Sequence, residues 1–224
     1  MSIGAVLFSD MTPEASWQDE FNAWYDEEHI PLRMKVQGFI GAQRYKHTEK
    51  PGYLAIYDMT SADVLKSDAY TAVKSNPSGL TTRMLAEVSG FTRYIGSLLS
   101  WQLSADADQQ RLLDARYAYA VMFTVPADRA AEFNDWYCQE HVPMLLECSS
   151  WLGCRRYLID DGEPEPFTHL AIHHLSSLDA LDSPERAAAR TTPWRDKLAQ
   201  ESWFKGTYAV YEKCGERFLA ETNQ

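Results

Sequence analysis

Apolar and polar positions alternate in two different periods along the first quarter of the chain. Ile3 to Phe8 is a short apolar run that ends before Pro13, which predicts a strand followed by a turn. From Trp17 the spacing lengthens to three and four, through Phe21, Trp24, Tyr25, Glu28, His29 and Leu32, and predicts one face of an amphipathic helix. Pro31 pushes the residue before it out of the α region, so the helix is expected to end or bend there, with His29 near its C-terminus. Between Gly38 and His47 the period becomes two: Phe39, Gly41, Gln43, Tyr45 and His47 are expected on one face, with Ile40, Ala42, Arg44 and Lys46 on the other. A third strand, Tyr53 to Met59, precedes a polar helical region opened by Thr60 and Ser61, and a last strand is expected over Arg93 to Trp101.

The same order then recurs. Glu20 to Tyr45 matches Glu132 to Tyr157 at a constant offset of 112, with 11 identities in 26 positions. Unrelated segments would share roughly one or two, so the chain is an internal duplication. Tyr117 to Phe123 repeats the first strand. The helix face returns as Phe133, Trp136, Tyr137, Glu140, His141 and Met144, with Pro143 two residues after the histidine. Trp151, Gly153, Arg155 and Tyr157 repeat the strand face. His169 to Leu175 matches the third strand at an offset of 116, and Gly206 to Tyr211 is the expected last strand. Strand, helix, strand, strand, helix, strand is the ferredoxin-like order, an α+β class. The expected boundaries are a first repeat over 1–103, a polar linker over 104–115, and a second repeat over 116–224.

Composition narrows the function classes. A net charge of −11 with no Lys or Arg cluster argues against nucleic acid. No stretch approaches the ~18 to 20 apolar residues of a membrane span, and the N-terminus lacks a basic leader, so a cytoplasmic protein is expected. Cys138, Cys148, Cys154 and Cys214 all fall in the second half and form no C-x-x-C pair, which suits reduced packing residues better than disulfides or zinc.

The pattern F-x-x-W-Y-x-x-E-H-x-P, followed by an aromatic residue, Gly and R-Y, resembles the EthD-like branch of the dimeric α+β-barrel superfamily. It is carried by Phe21, Trp24, Tyr25, Glu28, His29, Pro31, Phe39, Gly41, Arg44 and Tyr45, and again by Phe133, Trp136, Tyr137, Glu140, His141, Pro143, Trp151, Gly153, Arg156 and Tyr157. In that superfamily two ferredoxin-like units join their sheets. The resemblance therefore implies two tandem βαββαβ repeats forming a pseudo-dimeric α+β barrel, itself free to pair as a homodimer. Its members include monooxygenases, cyclases, isomerases, decarboxylases and haem enzymes, so fold alone does not choose the reaction.

The residues suited to chemistry sit on that helix and the strands facing it. His29 and His141 are candidates for proton transfer, since imidazole titrates near neutral pH, and Glu28 and Glu140 are placed to orient them or raise their pKa. A buried histidine bonded to a backbone carbonyl would give the same pattern. Tyr53 and Tyr57 align with His169 and His173, so the facing strands diverged where the helices did not. His173 and Tyr57 join the catalytic candidates. Trp24, Tyr25, Tyr45, Tyr53, Trp136, Tyr137, Tyr157 and His169 are candidate substrate contacts, and Arg155 is a candidate partner for a substrate carboxylate. No H-E-x-x-H or nucleotide-binding signature occurs, so neither a metal nor a cofactor is expected. The leading expectation is a cofactor-independent lyase carrying out decarboxylation or related proton-transfer chemistry on a small aromatic or phenolic acid. The alternatives are a monooxygenase or haem-type oxidative enzyme, which a Soret band would reveal, and a non-catalytic binding protein.

Overall fold

The computed structural model describes residues 2–220. Its first repeat runs β1 (Ala5–Thr12), α1 (Gln18–Trp24), α2 (Ile30–Met34), β2 (Phe39–His47), β3 (Tyr53–Met59), α3 (Asp68–Ser75), α4 (Gly79–Glu87) and β4 (Ser89–Leu103). After α5 (Gln109–Leu113) the second repeat follows as β5 (Tyr117–Phe123), α6 (Ala130–Trp136), α7 (Val142–Leu145), β6 (Trp151–Glu163), β7 (His169–Leu175), α8 (Pro184–Ala189), α9 (Pro193–Leu198) and β8 (Thr207–Leu219). The eight strands pair in the order β1-β3-β2-β8-β5-β7-β6-β4, which closes as a barrel. This is a mixed α+β fold built on two ferredoxin-like repeats.

The chain forms two compact units. Among the described residues, the N-terminal unit takes 2–97, 160–164 and 214–220, and the C-terminal unit takes 98–159 and 165–213. The unit boundaries fall within β4, β6 and β8, each of which contributes to both units. The 104–115 segment also carries more than polar linker: α5 buries Leu112 and Leu113, and the Asp108 side chain caps it at the Arg111 N–H.

Each unit packs one face of its sheet against its helices. In the N-terminal unit that core joins Leu7, Phe21, Trp24, Tyr25, Phe39, Ala42, Tyr53 and Tyr57. Its counterpart joins Tyr119, Phe133, Trp136, Tyr137, Trp151, Cys154 and Leu175. Burying a side chain of this size contributes about 2 to 3 kcal/mol, so the repeated aromatic stripe fixes how each helix lies on its sheet.

Two expectations from periodicity are corrected. Of the two alternatives at Pro31 the helix does not end: residues Tyr25–His29 form a π-helical turn, the Ile30 N–H reaches the Tyr25 carbonyl five residues back, and the α-helix resumes with proline in its first turn. Proline is tolerated there because its missing N–H falls where the widened turn has already shifted the hydrogen-bond ladder. Tyr137–His141 and Val142 repeat the device.

The second correction concerns the strand faces. Register shifts between Phe39 and Gly41, and between Trp151 and Gly153, mark a bulge in β2 and in β6. One extra residue inverts the alternation beyond it. Phe39 therefore shares the helix-facing side with Ala42, and Trp151 with Cys154, while the bulge hands the following odd-numbered positions to the other face.

Candidate active site

The π-turn puts His29 at its last position, turned inward beside Tyr25. Its ring packs 4.3 Å from the Trp24 ring and 4.7 Å from Tyr25. No protein group among the described residues hydrogen-bonds the imidazole. Burial, together with the guanidinium groups of Arg33 and Arg44, holds its pKa well below the usual histidine value, so it is neutral at pH 7.

His29 lines a cavity of about 460 Å³ inside the N-terminal unit, together with Tyr25, Arg33, Tyr57, Tyr70, Lys74 and Thr81. The Tyr57 hydroxyl is buried beside that of Tyr25 without a hydrogen bond of normal geometry, and burial raises the pKa of both phenols. The cavity thus offers an unprotonated base and, on the same wall, a hydroxyl held only loosely by that of Tyr25. The Arg33 guanidinium donates to the His29 carbonyl at 2.8 Å while its Nε is buried without a partner.

Tyr25 is held in place from behind. Arg44 lies 4.7 Å over its ring and is itself fixed by Asp26 at 2.9 Å and by the Asn22 side chain at 2.6 Å. Glu28 does not serve His29: its carboxylate accepts from Ser78 Oγ at 2.5 Å and Thr81 Oγ1 at 2.6 Å, and these bonds lower its pKa. Neighbours on a helix point about 100° apart, so Glu28 faces the start of α4 while His29 faces the sheet. Glu140 likewise accepts from Thr192 at 2.5 Å.

The C-terminal unit has the same skeleton but a filled pocket of about 50 Å³. The Trp151 indole donates to Nδ1 of His173 at 3.1 Å, which leaves the proton on Nε2, 2.9 Å from the Tyr137 hydroxyl. Both nitrogens of His173 are therefore committed, and its burial is complete. His141 stacks on Trp136 at 4.6 Å and directs Nδ1 to the Ala189 carbonyl at 3.2 Å; burial brings its pKa down to about 4. These residues do not fit a haem: His173 has no spare lone pair, and the pocket has no room for a macrocycle. Among the described residues no group of three His, Cys, Asp or Glu side chains could hold a metal ion, and all four cysteines are free thiols.

The structure brings together some of the expected site residues and not others. Tyr25, His29 and Tyr57 line one cavity, and Trp136, Tyr137, His141 and His173 line the other. Trp24 stands behind His29, its indole donating to Thr81 Oγ1 at 2.9 Å. Tyr53 and His169 lie outside both linings, with Tyr53 accepting from Asn22 and His169 bonded to Thr168 Oγ1 at 2.9 Å. Tyr45, Arg155 and Tyr157 are buried on the sheet face away from the helices, because the bulges invert the alternation on which their placement rested. Arg155 donates to His174 Nε2 at 3.0 Å and is not available to a substrate carboxylate in the pocket.

Sequence reasoning missed the helix residues that close the cavities: Tyr70, Lys74 and Thr81 on α3 and α4, and Arg186, Arg190 and Arg195 on α8 and α9. A signal existed. Ser67 and Ser183 cap α3 and α8, while Ser78 and Thr192 cap α4 and α9, so aligning the caps would have paired these positions across the repeats.

No protein-family model matches the chain, and no curated protein sequence does. Solved structures do match, along nearly the whole length. An anthrone oxidase-like protein is 11% identical with a TM-score of 0.71, covering 98% of this chain and 94% of that one. A Fusobacterium nucleatum protein described as a monooxygenase is 10% identical with a TM-score of 0.61, covering 97% and 95%. A mutant chlorite dismutase from Candidatus Nitrospira defluvii, solved with cyanide, is 12% identical with a TM-score of 0.60, covering 96% and 92%. Such likeness establishes the dimeric α+β-barrel fold and leaves the chemistry to the site. No helix among the described residues is long and apolar enough to cross a membrane.

Proposed function

We propose that the N-terminal cavity is the active site of an enzyme that deprotonates a phenolic or enolisable aromatic substrate and passes the resulting electron pair to dioxygen. The observation that carries this reading is His29: a neutral, unpartnered imidazole at the wall of a 460 Å³ aromatic cavity, beside the Tyr57 hydroxyl, whose one neighbouring hydroxyl is that of Tyr25. A base must be unprotonated and within reach of the substrate, and a developing oxyanion needs a donor already in place.

His29 takes the proton from an activated C–H, and the Tyr57 hydroxyl donates to the enolate or phenolate oxygen. The Arg33 guanidinium adds positive potential. The carbanion forms a C–O bond with dioxygen, the His29 imidazolium returns its proton to the terminal oxygen, and a second C–H is lost as the O–O bond breaks. The net change converts CH₂ and O₂ into C=O and water. The likeness to proteins named for anthrone oxidation and monooxygenation supports an oxidative outcome over the lyase expected from the sequence.

Decarboxylation on the same residues is a second reading, favoured by the partnerless Nε of Arg33, a suitable receiver for a substrate carboxylate. Incubation of the purified protein with a panel of polycyclic phenols and phenolic acids, with oxygen uptake and product masses recorded, separates the two. Gain of oxygen with consumption of dioxygen is expected. Loss of carbon dioxide at an unchanged oxygen level would favour the second reading, and tight binding without turnover would overturn both.

A further inference from the structure

The pocket of the C-terminal unit differs from its N-terminal counterpart in charge as well as in size. Aligning the helix caps pairs Arg186 with Tyr70, Arg190 with Lys74 and Arg195 with Thr81, so the second copy carries two guanidinium groups where the first has neutral side chains. All three arginines line the pocket, and no carboxylate does. Arg186 donates to the Leu181 carbonyl at 2.5 Å and interacts with Tyr119, Arg195 lies 5.9 Å over the Phe204 ring with Asp196 at 3.7 Å, and Arg190 has no ion-pair partner among the described residues. The repeat also removed a compensating charge. Asp26, which neutralises Arg44 in the first copy, is Cys138 in the second, where Arg156 instead meets a thiol sulfur at 3.0 Å. The excess positive charge is felt inside, since Arg186, Arg190, Arg195 and Arg156 all oppose protonation of the neighbouring histidines.

We infer that this pocket is a binding site for a small carboxylate or comparable oxyanion, separate from the N-terminal cavity. Three guanidinium groups without carboxylates provide planar, forked donors for such a group. The free space of about 50 Å³ suits a group of roughly three to five heavy atoms and no aromatic ring system. Tyr119 and Tyr208, stacked at 6.0 Å, line one side of it.

The test is calorimetric titration of the full-length protein with formate, acetate and inorganic phosphate at constant ionic strength. Saturable binding of at least one is expected, weakened roughly tenfold or more in Arg195→Thr and in Arg190→Ala, which corresponds to losing one charge-assisted contact. Affinity for 1-naphthol, as a probe of the N-terminal cavity, should be unchanged in both variants. Circular dichroism melts establish that the variants are folded. Absence of saturable binding by the wild type, or equal anion binding in folded variants, would overturn the proposal.

Discussion

The two pockets descend from one ancestral arrangement and now illustrate opposite uses of it. Tyr25 and Tyr137 occupy equivalent positions on the π-turn, and so do His29 and His141. On the first strand, however, Leu7 and Met11 face the N-terminal cavity where Tyr119 and Phe123 face the C-terminal pocket. Larger side chains, with Phe204 added, reduce the free space from about 460 to about 50 Å³. On the third strand the Tyr57 hydroxyl has only that of Tyr25 beside it and makes no bond of normal geometry, whereas His173 is satisfied at both nitrogens. Buried polar groups are normally paired, and an unpaired one costs about 1 to 3 kcal/mol. The N-terminal unit therefore carries an incomplete network that a ligand can complete. The C-terminal unit has closed the equivalent network around His173 and leaves only its pocket guanidinium groups open to a ligand.

Substitutions can break this contrast directly. The largest expected effect is on the base: His29→Ala should lower kcat/KM for the aromatic substrate by about 10³-fold, within the usual range for general-base loss, while His141→Ala leaves it within a few-fold. Steady-state kinetics on both variants decide whether the two histidines have parted in role. The next effect is on stability. His173→Leu orphans the Trp151 N–H and the Tyr137 hydroxyl and should cost about 2 to 4 kcal/mol in urea unfolding with little change in activity.

The pH dependence of stability gives a third measure. The His141 pKa falls from its ordinary 6.5 to about 4 on folding, so the unfolded chain binds the extra proton between these values. Stability should rise with pH through this window and be lost by up to about 3 kcal/mol as pH falls from 6.5 to 4. His141→Gln should flatten that slope. Because burial also keeps His29 unprotonated, kcat/KM should stay level through neutral pH and decline only in acid. The smallest effect separates function from stability at one atom: Tyr57→Phe should slow turnover about tenfold yet leave the melting temperature unchanged or higher, since it removes a buried hydroxyl that makes no bond of normal geometry. A clear loss of stability in that variant would show that the hydroxyl is structurally paired after all.

Much of the fold was legible in the residues. The 112-residue offset, the 3.6-residue aromatic stripe and the strand patterns are local properties repeated in register, so they specified two ferredoxin-like units and put His29 and His141 on inward helix faces. The divergence of Tyr57 and His173 was also visible. The π-turn was not, because proline in a sequence marks a disturbed ladder without saying whether the helix ends or widens. Nor were the bulges, since one extra residue leaves no compositional trace yet moves Arg155 and Tyr45 to the other face. The roles of Glu28 and of Arg186, Arg190 and Arg195 depended on which helix packs over which strand. Chain order and periodicity determined the elements and their duplication. Tertiary packing alone decided which of the two pockets is open, because free volume and unpaired hydrogen-bonding groups are properties of how side chains distant in sequence meet.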